Sequence, residues 1–260
     1  MQPLDLKTSL RNVLPEGAWK IARDTINRLR KYRRKFERRP PVGWVRFGSL
    51  RRVRPIDPDY GSRWGQVIDR YYIECFLRQQ ADEIHGRVLE IAADGYTRRF
   101  GGPRVSRSDV LHYTADNPKA TIVADLTDAR NIASDTFDCV ILTQTLQFIY
   151  DMHAAVCTLH RVLKPGGVVL ATCHGISQIS SYDMENWGEY WHLTSLSARK
   201  LFTEIFRDDC VTVRAYGNVL SATAFLHGLT AQELRREELD HHDPRYEVII
   251  AVRAVKPALD

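Results

Sequence analysis

FDCVILTQTLQFIYDMHAAVCTLHRVLKPGGVVLAT, residues 137–172, is the stretch that decides the fold. Phe137–Thr143 is a short, almost wholly apolar run of strand length. Met152–Leu163 carries its apolar residues at helical spacing and ends at Lys164-Pro165-Gly166-Gly167. Proline cannot continue a helix, and the glycine pair permits a tight reversal into the apolar run Gly167–Thr172. Two strands joined through a helix form a parallel crossover, because a parallel pair needs a long connection. Strands apolar throughout belong to a sheet covered on both faces.

Working outward, the same alternation continues. Toward the N-terminus lie three further strand candidates, Arg87–Ala92, Val105–Leu111 and Thr121–Asp125, behind a helix over Ile68–His85. Toward the C-terminus come a helix over Leu196–Phe206 and the strands Val211–Tyr216 and Tyr246–Val255, separated by a partly helical insertion at 217–245. The expected fold is α/β: a Rossmann-like, mostly parallel sheet of seven strands with an antiparallel closing strand. Residues 1–60 read as a basic N-terminal extension, helical over Trp19–Arg39 until Pro40-Pro41 stops it, and residues 61–260 as the domain.

The net charge of +5 conceals an asymmetry. Residues 20–54 hold fourteen Lys/Arg against Asp24 and Glu37, whereas residues 55–260 carry a net charge of −7. The basic strip is either a solvated face or a contact for anionic headgroups or another polyanion, and no nucleic-acid module accompanies it. The five cysteines are scattered without a CxxC, which excludes a disulfide framework and a cysteine zinc site. No apolar run reaches membrane-spanning length and no signal peptide is visible, so the expected location is cytoplasmic, at most peripheral to a membrane.

In an open parallel sheet, ligands bind at the carboxyl ends of the strands near the switch in strand order. The first strand ends at Glu90-Ile91-Ala92-Ala93-Asp94-Gly95. Asp109 follows Glu90 by nineteen residues, near the spacing at which an acid grips a ribose by its hydroxyls. Asp125-Leu126 ends the third strand and offers a polar and an apolar contact to an adenine. Thr143 and Gln144 end the fourth, at the mouth of the same crevice.

These positions, in this order, resemble the class I S-adenosylmethionine-dependent methyltransferases from about Gly86 to Phe206, and the closing strand pair fits as well. The most specific piece is Arg161–Gly167, similar to the family's R-x-L-K-P-G-G turn. YTRRFGG (96–102) and ISQISSYDMENWGEYW (176–191) resemble a subset associated with glycosyltransferases and polysaccharide assembly. The resemblance implies S-adenosylmethionine as cofactor, held by Glu90, Ala92, Asp94, Gly95, Asp109, Asp125, Leu126, Thr143 and Gln144. It implies a small-molecule or glycan acceptor, methylated at oxygen, against Trp187, Tyr190 and Trp191. The catalytic base is expected at His192, in the Tyr190-Trp191-His192 cluster, or at His174, just after the fifth strand. No metal site is expected: His241-His242 with Asp243 is a weak signal on a polar loop.

One motif departs from the family. Ala92, Asp94 and Tyr96 stand where glycines let backbone approach the cofactor, and Gly95 alone remains to turn the chain. Asp94 is then expected to face the sulfonium or the amino group of the cofactor. The same departure motivates a second reading, a cofactor-poor pseudo-methyltransferase that binds or scaffolds partners in glycan assembly. A nicotinamide oxidoreductase is disfavoured by the absence of GxGxxG. The charge asymmetry makes its own prediction: a chain lacking residues 1–54 folds but no longer sediments with anionic vesicles. Equal sedimentation of the full and shortened chains removes the membrane-contact reading.

Overall fold

The computed structural model describes residues 45–258, together with Ala18, Asp24 and Thr25. Apart from Asp24 and Thr25, the helix expected over Trp19–Arg39, and with it most of the basic strip, lies outside the described residues. The chain divides into two compact units, Met1–Arg51 and Arg52–Asp260. The second holds the sheet. Among the described residues no helix is long and apolar enough to cross a membrane.

The sheet has seven strands: β1 (Gly86–Ile91), β2 (Val105–His112), β3 (Ile122–Val123), β4 (Phe137–Thr143), β5 (Leu163–His174), β6 (Val211–Tyr216) and β7 (Ile249–Val255). Their order is β3-β2-β1-β4-β5-β7-β6. β1 to β5 run parallel, and β7 is antiparallel to both β5 and β6. The order turns back between β1 and β4, so the connections leaving those two strands diverge and open a crevice at their carboxyl ends.

Two-residue periodicity divides the core between the two faces. Leu89, Leu111, Val140, Leu142, Val169 and Ala171 face one layer, packed under α2 (Met152–Val162) and α4 (Ser195–Thr203). Val88, Cys139, Ile141, Val168 and Leu170 face the other, under α1 (Ile68–Gln79) and α5 (Val219–Leu226). Each helix forms for a local reason. α1 buries Tyr72, Ile73, Phe76 and Leu77 on one stripe. Asp151 accepts the Ala154 N–H and caps α2, Thr194 caps α4 in a reciprocal pair with Ser197, and Asn218 does the same for α5 with Ser221. α3 (Ser181–Asn186) and α6 (Arg236–Asp240) are short.

The Lys164–Gly167 segment differs from the expected turn. Strand pairing already begins at Leu163, opposite Phe137, and the register slips before Val168 meets Cys139. The reversal is a bulge inside one long strand, with Gly166 at φ +80° and Lys164 Nζ on the Asp138 carboxylate at 2.8 Å. The segment before α1 also packs on the domain. Asp57 is buried, accepts the Trp64 indole N–H at 2.9 Å, and lies against Gly228 in the insertion after β6. Gly228 has φ +69°, and a β-carbon there would stand 2.0 Å from the Asp57 carbonyl oxygen. Gly228→Ala is therefore expected to cost about 2–4 kcal/mol, the range for a backbone clash in a strained conformation. Urea unfolding followed by circular dichroism checks it, and a loss under 0.5 kcal/mol would contradict the packing.

Candidate functional site

The crevice at the strand ends has a volume of about 1460 Å³. One side is made by the loops after β1, β2, β3 and β4, the other by residues 174–190, by Tyr60 from the segment leading into α1 and by Arg70 in the first turn of α1. Single small-molecule pockets usually span about 300–1,000 Å³, so there is room for two ligands side by side.

Glu90 shapes the first loop. It is buried at the end of β1, where Oε2 accepts the Thr97 N–H at 2.7 Å and Oε1 the Tyr96 N–H at 3.2 Å. Burial raises its carboxyl pKa, and those two backbone donors work against the rise. Between Glu90 and Tyr96 the chain turns at Ala92, which takes φ +64° in place of the expected glycine. Its N–H donates to Leu111 O at 2.9 Å and its carbonyl accepts Asn117 Nδ2 at 2.8 Å. A left-handed alanine costs about 1–2 kcal/mol, and these contacts with β2 and the loop after it hold the turn. Ala92 and Gly95 line the crevice. Asp94 does not: its carboxylate turns to Arg98, 2.6 Å away, so it does not face the crevice as expected.

Asp109 is also elsewhere. β2 runs three residues beyond it, because Val110 and Leu111 still pair with Glu90 and Ile91. Its side chain is 1 % exposed and is held by Arg87 Nε at 2.7 Å, Arg107 Nη2 at 3.1 Å and the Thr121 hydroxyl at 3.2 Å. It is an internal ion-pair centre and does not line the crevice. Burial alone would raise its pKa, but the bonds from Arg87 and Arg107 outweigh that and lower it. The strand end facing the crevice is His112, with Tyr113 beside it. Thr114 holds His112 Nδ1, and Trp187 stands edge-on to its ring at 5.8 Å. The spacing rule pointed to an acid and so passed over this histidine.

Asp125, Leu126, Thr143 and Gln144 all line the crevice. Asp125 Oδ1 accepts both the N–H and the hydroxyl of Thr127, each at 2.8 Å. Gln144 has φ +48°, accepts Gln147 Nε2 at 2.9 Å, and keeps a buried Nε2 with no hydrogen-bond partner. An orphaned buried donor is costly unless a ligand meets it. Arg70, against the Tyr96 hydroxyl, brings a cation to the same lining.

At the opposite wall the fold joins the two histidines singled out from the sequence: His174 lines the crevice, and His192, which does not, meets it from beside. The rings of His174 and His192 lie 4.4 Å apart, and Glu189 stands between them. Glu189 Oε1 is 2.9 Å from His174 Nε2 and 3.4 Å from His192 Nε2. Burial, then His192, pushes the His174 pKa down to about 4. Glu189 was not anticipated, although its i,i+3 spacing to His192 was visible. Trp187 and Tyr190 line the crevice, and Tyr190 meets Tyr150 edge-on at 5.4 Å. Trp191 turns away, with its indole N–H on Tyr150 O at 3.3 Å and its ring on the core. Successive residues of an extended segment point to opposite sides, which separates Tyr190 from Trp191.

Residues 86–171 match the family described as Methyltransferase domain. No curated protein matches the chain in sequence. Solved structures resemble it in chain path. A SAM-dependent methyltransferase from Archaeoglobus fulgidus is 11% identical, with 72% of this chain and 94% of that one covered and a TM-score of 0.48. The N-methyltransferase NodS from Bradyrhizobium japonicum WM9, in complex with S-adenosylhomocysteine, is 15% identical, with 74% and 89% covered and a TM-score of 0.47. A methyltransferase of Bacillus halodurans C-125 is 14% identical, with 70% and 97% covered and a TM-score of 0.46. The family match covers β1 to the body of β5, so this part of the sheet is similar to a methyltransferase domain.

The placement of Asp109 makes a prediction about stability. Asp109→Ala is expected to cost about 2 kcal/mol at pH 7, the scale of a broken buried ion-pair centre. Because the folded pKa is depressed, this stabilisation is present above about pH 4, the unfolded value, and fades as pH falls through the folded value. Urea unfolding of both proteins at neutral and acid pH should show the gap narrowing with acid. An unchanged midpoint at pH 7 would contradict the assignment.

Proposed function

We propose that this chain transfers a methyl group from S-adenosylmethionine to a hydroxyl of a small-molecule or glycan acceptor. The observation that carries the reading is the single crevice, with a nucleoside-sized cradle on the strand-end side and an aromatic and imidazole wall across from it. The residues present suit the cofactor. Asp125 and Leu126 meet the adenine, and His112 takes the place at the ribose that the sequence had given to Asp109. Ala92 and Gly95 let the backbone come close. The orphaned Gln144 Nε2 and the Arg70 guanidinium offer donors to the methionine carboxylate. The substituted first loop keeps its turn because Ala92 adopts the left-handed conformation, which favours a working site over a cofactor-poor scaffold.

The cofactor supplies a methyl carbon made electrophilic by the adjoining sulfonium, so that the carbon–oxygen bond forms as the sulfur–carbon bond breaks. The protein's part is placement and a route for the acceptor's proton. Trp187 and Tyr190 present aromatic faces and edges to a sugar ring. The hydroxyl is directed at His174, Glu189 and His192, where its proton is given up and passes to solvent. The setting that goes with this reading is cytoplasmic polysaccharide assembly, with residues 20–54 touching an anionic membrane or another polyanion.

Transfer of a tritium-labelled methyl group to a panel of sugars, nucleotide sugars and oligosaccharides tests the proposal. The expected product is a base-stable methyl ether. Trp187→Ala should raise the acceptor KM about tenfold, a loss of ~1.4 kcal/mol, and leave the KM for S-adenosylmethionine unchanged. Label found only in base-labile esters or in amines, or no hydroxylic acceptor at all, would overturn the O-methylation reading.

A further inference from the structure

His174, Glu189 and His192 gather three ligand atoms within 4.8 Å of one another, and His174 and Glu189 of the three line the crevice. The arrangement is short of positive charge. His192 Nδ1 lies 3.0 Å from the Gly175 carbonyl oxygen, and the His174 ring is hydrogen-bonded to the Trp191 backbone. A ring nitrogen that donates to a carbonyl leaves the other nitrogen as a bare lone pair. Both imidazoles thus turn unprotonated Nε2 atoms toward one carboxylate oxygen. His174 Nε2 and Glu189 Oε1 are buried without a hydrogen-bond partner. The Glu189 side chain is 1 % exposed, and its Oε2 is already fixed by the Ser180 N–H at 2.9 Å.

Three lone pairs facing one point repel unless a cation lies between them. Around a metal with bonds of about 2.0–2.2 Å, neighbouring ligand atoms sit about 3.0–3.5 Å apart. The observed separations from Glu189 Oε1, 2.9 and 3.4 Å, are of this size. Carbonyls that orient the far nitrogen of each imidazole are the usual support of metal-bound histidines.

The geometry points to a divalent transition-metal site at His174, Glu189 and His192, open toward the crevice. Two imidazoles and a carboxylate suit zinc and its first-row neighbours, and three protein ligands leave positions for an oxygen of a second molecule. On the methyl-transfer reading, with which this role stands or falls, that oxygen is the acceptor hydroxyl. The metal would fix its place and ease loss of its proton to solvent. Uptake of the metal itself does not depend on that reading.

The test uses untagged full-length protein, stripped with a chelator, then titrated with Co²⁺ and read by visible ligand-field absorption, with bound Zn²⁺ measured by elemental analysis. One equivalent of metal per chain is expected. His192→Ala, at a partly exposed position, should weaken binding at least tenfold without changing the unfolding midpoint, and Glu189→Gln should abolish the Co²⁺ spectrum. No uptake by the unaltered protein, or equal uptake by the His174→Ala/His192→Ala double variant, overturns the site. Methyl transfer at full rate by the stripped protein would overturn the metal's role toward the acceptor and leave the proposed function standing. Metal uptake without transfer would do the reverse.

Discussion

The site depends first on the Glu90 carboxylate. It closes β1 inside the sheet and collects the N–H groups of Tyr96 and Thr97, so the six residues after the strand must fold back on themselves. A tight loop there leaves space above β1 and β4, and the switch in strand order does the rest. Glycine would make the turn at no steric cost, yet the chain makes it at Ala92 and secures it against Leu111 and Asn117. The fold can retain such a strained residue because β2 and the loop after it clamp it from one side.

A second constraint is the covering of the sheet. Helices lie on both faces, so β4 and the body of β5 hold apolar side chains in both directions and polar groups emerge only at the strand ends. His174 illustrates the result. It ends β5, is buried, and meets Glu189 and His192 from the segment that crosses the strand ends toward α4. The wall that carries His174 is thereby tied to the same sheet as the strand-end loops opposite, which fixes their spacing.

Much of the fold was legible because it rests on local rules. Strand-length apolar runs, helical spacing and the Lys164–Gly167 punctuation gave the order of elements and the antiparallel closing strand. Register and side-chain direction were not legible. The end of β2 lay three residues past Asp109 because pairing with β1 continued, and no composition cue marks where pairing stops. Asp94 was drawn to Arg98 by an i,i+4 ion pair available from sequence, while the Glu90–Thr97 bonds were not. His174 and His192 could be named singly. Their meeting at Glu189 depends on the path of a chain segment with no periodicity.

The central claim is that the strand-end crevice binds S-adenosylmethionine despite a first loop that lacks its usual glycines. Calorimetric titration of the unaltered chain with S-adenosylhomocysteine tests it most directly. Saturable one-to-one binding in the micromolar range, lost in Asp125→Ala and retained in Asp109→Ala, is the expected result. Absence of heat at millimolar ligand, or loss of binding in Asp109→Ala with the fold intact, would contradict the account.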